Sequence, residues 1–331
     1  MFDSEFVYEL CVCRWAELAW PPESASTPTA NGARTDRPYI VARQLGTRNR
    51  RWDTIIIEAD AGALADRAAF GDRELDSDLL HIVQHAPADW AWYREALPEP
   101  DYPWRYVREA IHRAADRGVL ENRKNGNRIE IKRIAPYPDW FERLIVIENK
   151  PDLDASAARQ LSSQLEHDVD TGLADEVWVA TGRTDSRVEP ALLEALPVEA
   201  GILLTDFADG VDADSISVEW YPTALQPTHA EGYRTSRRLE LAERAYGRGW
   251  RTYHETMRPD CRYFQLRRHG RGLLPWCAAK SRHQSAATCG SSCADFEPEP
   301  PAWRMKAWPL AGGPGAGIKR LLADRRQREN R

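Results

Sequence analysis

Residues 144–153 read LIVIENKPDL. Four branched apolar residues in succession give a strand covered on both faces, because a strand with one wet face alternates apolar and polar positions. Around that run the texture also alternates: strand at 144–148, helix from Asp154 to about Val169, strand at 176–180, helix at about 188–196, strand at 201–205. Such an order predicts an α/β sheet with helices packed on it. The central run ends in Glu148 and Lys150, and residues two apart on a strand share a face. An acid and a base therefore stand together at the end of the most apolar strand.

The 331 residues suffice for one sizeable core plus a satellite, or for two modest domains. The formal charge is -6, and the basic residues are almost all arginine. That balance names no partner by itself. No apolar run reaches the roughly 18 residues of a membrane span, and MFDSEFVYEL lacks the basic start and apolar centre of a signal peptide. The expectation is a cytoplasmic protein without membrane contact, whose six cysteines are not a disulfide framework.

Before the alternating region, Asp3 or Ser4 can cap a helix running to about Leu18, and residues 21–37 read as a loop. Tyr39 to Leu45 and Trp52 to Glu58 read as a hairpin, followed by a helical patch at 61–70. From about Asp76 to Arg133 the chain is dense in tryptophan and arginine. There the spacing of Val107, Ile111 and Ala114 predicts a helix, Gly118 breaks it, and two strands flank Asn125-Gly126, an arrangement like a winged helix. The expected division is a core in two parts, 1–75 and 136–230, an insertion at 76–135, a helix with a cysteine module at 231–296, and a mobile basic tail at 297–331.

The strand Trp52-Asp-Thr-Ile-Ile-Ile-Glu58 also carries an acid inside an apolar run, Asp53. If it neighbours the 144–148 strand, Asp53 and Glu148 converge. Two adjacent carboxylates raise one another's pKa unless a cation lies between them. Mg2+ (or Mn2+) is such a cation, content with one or two carboxylates and water or phosphate oxygens for the rest. Lys150 would then offset charge on a phosphoryl group under attack. The bland reading is a strand-end ion pair worth about 0–1 kcal/mol.

This arrangement resembles the PD-(D/E)xK nuclease superfamily, the restriction-endonuclease-like fold, over residues 1 to about 206. The resemblance implies a metal-dependent nuclease cutting DNA phosphodiester bonds, of the kind used in DNA repair or defence. It implies metal ligation by Asp53 and Glu148, followed by Lys150, with Glu9 or Glu5 on the first helix completing the site. RecB-like members carry a glutamine on the helix after the Glu-x-Lys motif, matched here by Gln164 and next by Gln160; Asp168 stands where their tyrosine follows. Asp139, in YPDWFERLIVIENK, spells the literal motif, but the gap to Glu148 leaves little room for a second strand and turn. The alternative is a catalytically inactive DNA-binding or regulatory protein on such a scaffold. Many nucleases of this shape pair to cut both strands, so a homodimer is a further expectation. The chain also resembles an uncharacterised haloarchaeal family through VCRWAELAWPP, VARQLG, YPDWFERLIVIENKPDL and LAERAYGRGWRTY.

Between Trp104 and Arg133 nine Arg or Lys face four acids. Arg105, Arg108, Arg113, Arg123, Lys124 and Arg128 are the expected phosphate contacts, and DNA the expected partner; a solvated helix in a packing domain is the competing reading. Cys261, Cys277, Cys289 and Cys293 form a candidate metal set for Zn2+. The RecB-like resemblance adds a [4Fe-4S] cluster as the other candidate, with Cys11 or Cys13 as a further ligand. Reduced, packed thiols are the plain alternative.

Overall fold

A computed structural model describes residues 5–22, 38–47, 49–71, 73–100, 102–182, 194–208, 210–225, 231–249, 261, 263–269, 272–284, 288–289 and 293–297. The expected cap at Asp3 or Ser4, most of the loop at 21–37, residues 188–193 of the expected helix and the tail beyond 297 lie outside the described residues.

The central element is a six-stranded mixed sheet. Its strands are β1 (Tyr39–Gly46), β2 (Arg51–Ala59), β6 (Phe141–Lys150), β7 (Glu176–Gly182), β8 (Gly201–Thr205) and β9 (Ile216–Trp220), in that spatial order. β1, β2 and β6 pair antiparallel; β6, β7 and β8 run parallel; β9 returns antiparallel on the far edge. Parallel neighbours need a crossover, and helix α6 (Ala155–Thr171) supplies it between β6 and β7. The Asp154 side chain caps this helix on the amides of Ser156 and Ala157, and Gly172 closes it in the left-handed region at φ 55°.

The sheet is covered on both faces, which explains the unalternating run at its centre. Ile56, Ile145, Ile147, Trp178 and Leu203 pack against helix α1 (Glu5–Ala19). Ile55, Ile57, Leu144, Val146, Val177 and Val179 pack against α6 and the last helix, α7 (Glu231–Arg248). Leu144 through Ile147 are all fully buried.

Between β2 and β6 the chain leaves the sheet. Helices α2 (Ala61–Ala68), α3 (Ser77–His85), α4 (Tyr93–Ala96) and α5 (Trp104–Asp116) accompany a three-stranded sheet of β3 (Ala91–Trp92), β5 (Arg128–Arg133) and β4 (Leu120–Asn125), in the spatial order β3-β5-β4. This insertion has its own core, in which Leu79, Ile82 and Val83 of α3 meet Val107, Ile111 and Ala114 of α5 and Ile131 of β5. Gly118 (φ 70°) ends α5, and Gly126 (φ 57°) turns β4 into β5; both need a conformation that costs other residues energy. A buried ion pair ties α2 to α7: Arg67 donates from Nε and Nη2 to the Glu243 carboxylate at 2.5 and 2.6 Å, with neither side chain exposed.

Beyond α7, a third sheet holds β10 (Phe264–His269), β11 (Gly272–Cys277) and β12 (Arg282–His283), all antiparallel. Phe264, Cys261 and Cys289 of this region belong to the same core as α1. Among the described residues no helix is long and apolar enough to cross a membrane.

Candidate functional site

The β2–β6 ladder runs from Ala59↔Phe141 to Thr54↔Ile147. One step further, antiparallel register sets Asp53 across from Glu148, and cross-strand neighbours share a face. There the backbone ladder gives way to a side chain: Asp53 Oδ2 accepts from the Asn149 amide at 3.0 Å. Asp139 is exposed and precedes the opposite end of β6, more than about 20 Å along the strand from Glu148. Of the two candidate aspartates, Asp53 is the one that meets Glu148.

Asp53 is joined to α1 through a residue the sequence did not advertise. Gln44 Nε2 donates to Asp53 Oδ1 at 3.0 Å and to Glu9 Oε2 at 3.1 Å. Gln44 has φ 53°, a left-handed conformation that non-glycine residues adopt only at a cost. The β1–β2 register accordingly passes from Arg43↔Thr54 to Leu45↔Trp52 without pairing Gln44. Glu9 is buried, and its second oxygen accepts from Arg43 Nε at 2.7 Å. Burial, above all, raises its pKa against the pull of Arg43. Glu5, one turn earlier, is exposed and faces Lys150 Nζ at 3.5 Å.

Glu148 is buried and carries the larger perturbation. Its pKa is pushed from 4.5 to about 8, first by burial and then by the charge of Asp53, against the opposing pull of Arg50. Arg50, from the turn between β1 and β2, donates from Nη2 to Glu148 Oε1 at 2.6 Å. The same guanidinium holds Asp168 of α6, from Nη2 at 2.8 Å and from Nε at 3.0 and 3.1 Å. A pair this close argues for an ionised Glu148, whereas burial and Asp53 argue for a proton. Burial and the Asp53 charge prevail, because among the described residues the hydrogen-bonded site sets Glu9, Asp53, Glu148 and Asp168 against two guanidiniums, Arg43 and Arg50. The deficit of positive charge must be met by a proton or by a cation.

Gln164 does not enter this site. α6 buries Ala158, Leu161, Leu165 and Asp168, a stripe at helical spacing, so Gln164 and Gln160 are exposed and Asp168 is the α6 side chain turned to the strands. Periodicity could have found Asp168, which sits at the heptad distance from Leu161. Arg50, by contrast, belongs to a turn with no periodic signal.

Among the described residues no group of three or more His, Cys, Asp or Glu stands as a ready-made metal site. A magnesium ion does not need three, since one or two carboxylates and water complete its shell. Asp53 and Glu148 fit that requirement by donor chemistry and charge.

The expected basic surface is less uniform than its composition. Arg113 is held by Asp76 and Asp78, Arg123 by Glu130, and Arg128 lies 3.9 Å from Glu95. Arg105 and Arg108 line a shallow groove on α5 with Tyr106, Glu109 and His112. Lys124 is exposed on β4.

All six cysteines carry thiols. Cys13 contacts Thr54 at 3.4 Å, and burial pushes both α1 thiols up, that of Cys11 to about 12. Cys261, Cys277, Cys289 and Cys293 line a single cavity.

Residues 40–298 match the model of a family described as "Family of unknown function (DUF5787)". The chain belongs to this family. The match spans β1 through the cysteine region and so includes Asp53, Glu148, Lys150 and the four C-terminal cysteines. No curated protein and no solved structure matches the chain.

Proposed function

We infer that this DUF5787 protein is a divalent-cation-dependent nuclease with a restriction-endonuclease-like core, acting on DNA presented by a winged-helix-like insertion. The observation that carries the reading is the convergence of Asp53 and Glu148 at the end of the β2–β6 pair, where, among the described residues, four carboxyls face two guanidiniums. Asp53 and Glu148 would hold Mg2+ or Mn2+. When bound, the ion supplies charge neutralisation at the scissile phosphate. Asn149 and Gln44 fix the Asp53 carboxylate from two sides, so its oxygens are oriented before any ligand arrives. Lys150 is part-exposed at the strand end, within reach of Glu5, where its ammonium can meet a phosphodiester entering from solvent. On the insertion, Arg105 and Arg108 are the cations best placed for phosphate, because Arg113 and Arg123 are already engaged by acids.

A second reading is favoured by Arg50. Its guanidinium stands between Glu148 and Asp168, and a site permanently closed by that clasp would belong to a DNA-binding or regulatory protein without catalysis. Cleavage of labelled single- and double-stranded DNA with and without Mg2+ separates the two. The nuclease reading expects cleavage by the wild type, abolished by chelator and reduced by about a hundredfold or more in Glu148→Ala and Lys150→Ala. If all three proteins bind DNA equally and leave it intact, the second reading takes its place.

A further inference from the structure

The cysteine-bearing end of the chain takes no part in the nuclease reading and has a geometry of its own. β10 and β11 pair so that Phe264 lies opposite Cys277. Cys261 is brought beside that open end of the hairpin by a tight turn, in which the Phe264 amide donates to the Cys261 carbonyl at 3.0 Å, while the Ala278 amide donates to the Tyr263 carbonyl at 2.8 Å. A second turn, from the Phe296 amide to the Cys293 carbonyl at 3.2 Å, shapes the chain at the last cysteine. Four thiols from separate stretches of backbone thus reach the wall of one cavity. The Lys280 ammonium donates to Cys293 Sγ at 3.2 Å and to the Thr288 carbonyl at 3.0 Å, so a cation is stationed beside one of the sulfurs.

We propose that Cys261, Cys277, Cys289 and Cys293 bind one zinc ion, which fastens the β10–β11 hairpin to α1. Four sulfurs are a complete ligand set for tetrahedral zinc and leave no position open for water, so the site is structural rather than catalytic. The cavity measures about 20 Å3, room for roughly one water-sized sphere. That suits a single ion. Each cysteine binds as a thiolate and releases its proton to solvent. The resulting Zn(Cys)4 group is a dianion, and Lys280, hydrogen-bonded to one sulfur, offsets part of its charge in the manner of an outer-shell partner. Among the described residues these thiols are not already grouped as a ligand set, so binding the ion requires them to draw together. Cys261, Cys289 and Phe264 share a core with Leu10 and Trp15 of α1, so a metal on these cysteines braces the helix that carries Glu9.

The full-length protein, expressed with zinc and iron both present in the medium, is analysed for both metals by mass spectrometry. Zinc is then followed with a chromogenic chelator while the thiols are titrated with a mercurial. The proposal expects about one zinc per chain, little iron, and release of the zinc as the thiols react. Cys277→Ser and Cys293→Ser lose most of it, whereas Cys11→Ala keeps it. A wild-type protein that folds with thiols reactive and zinc far below one per chain overturns the assignment. So does zinc that survives both serine substitutions or disappears with Cys11→Ala, and so does iron accompanied by inorganic sulfide. The wild-type titration keeps the test decisive even if a serine variant fails to fold.

Discussion

A buried carboxyl facing another carboxyl is the residue that gives this site its character. Glu148 is pushed from 4.5 to about 8, so the folded chain keeps a proton over a range where the unfolded chain has lost it. The stability this contributes is complete below about pH 4.5 and is lost as pH rises toward 8, the window set by those two values. The total is on the order of a few kcal/mol. Urea denaturation at about pH 5 and about pH 8.5, on either side of most of that window, should show the wild type losing that much more stability than Glu148→Gln. Parallel profiles would mean that Glu148 titrates as an ordinary carboxylate. Asp53 and Glu148 could be picked out of the sequence because Asp53 interrupts one apolar strand and Glu148 ends another, and a period of two then fixes the face each shares with its neighbours. Gln44 could not: its side chain reaches both Glu9 and Asp53 only because its backbone departs from strand geometry, and that departure has no composition signal.

At the scale of elements, the two-sided burial of β6 was readable from its unbroken apolar run, and the order of strands from 144 to 205 followed from alternation. Lateral partners were less accessible. The pairing of β2 with β6 joins segments separated by the whole insertion, and α6 had to be rotated correctly before Asp168 rather than Gln164 faced the strands. A comparable long-range contact holds α7 in place. Glu243 accepts two bonds from Arg67, one from the Tyr137 hydroxyl at 2.7 Å and one from the Leu75 amide at 2.8 Å. Glu243→Ala leaves Arg67 buried without its carboxylate, together with an unsatisfied amide and hydroxyl, and is expected to cost about 3–5 kcal/mol. Chemical denaturation measures it; a loss below about 1 kcal/mol would show that water replaces the carboxylate without penalty.

For the whole molecule, a mixed sheet bears the acids, an inserted unit bears the basic groove, and a cysteine-bearing hairpin packs on the first helix. The net charge of -6 opposes DNA binding at long range, so any DNA affinity must come from the local cations. Replacing Arg105 and Arg108 by alanine should lower the slope of log affinity against log salt by roughly 2, whereas Arg113→Ala, already paired with Asp76 and Asp78, should change it little. Equal slopes for all three proteins would remove the α5 groove as the DNA contact. The basic texture of the insertion was legible, but composition could not tell which arginines are engaged by acids, since those partners lie on other elements.

The proposed nuclease requires Asp53 and Glu148 to share a divalent ion. Crystals grown with Mn2+, measured at a wavelength where manganese scatters anomalously, address it directly. An ion shared by the two carboxylates gives a peak at ligating distance from both, with the Arg50 guanidinium withdrawn from Glu148. A map with no peak there, Arg50 still bridging Glu148 and Asp168 at saturating Mn2+, would contradict it.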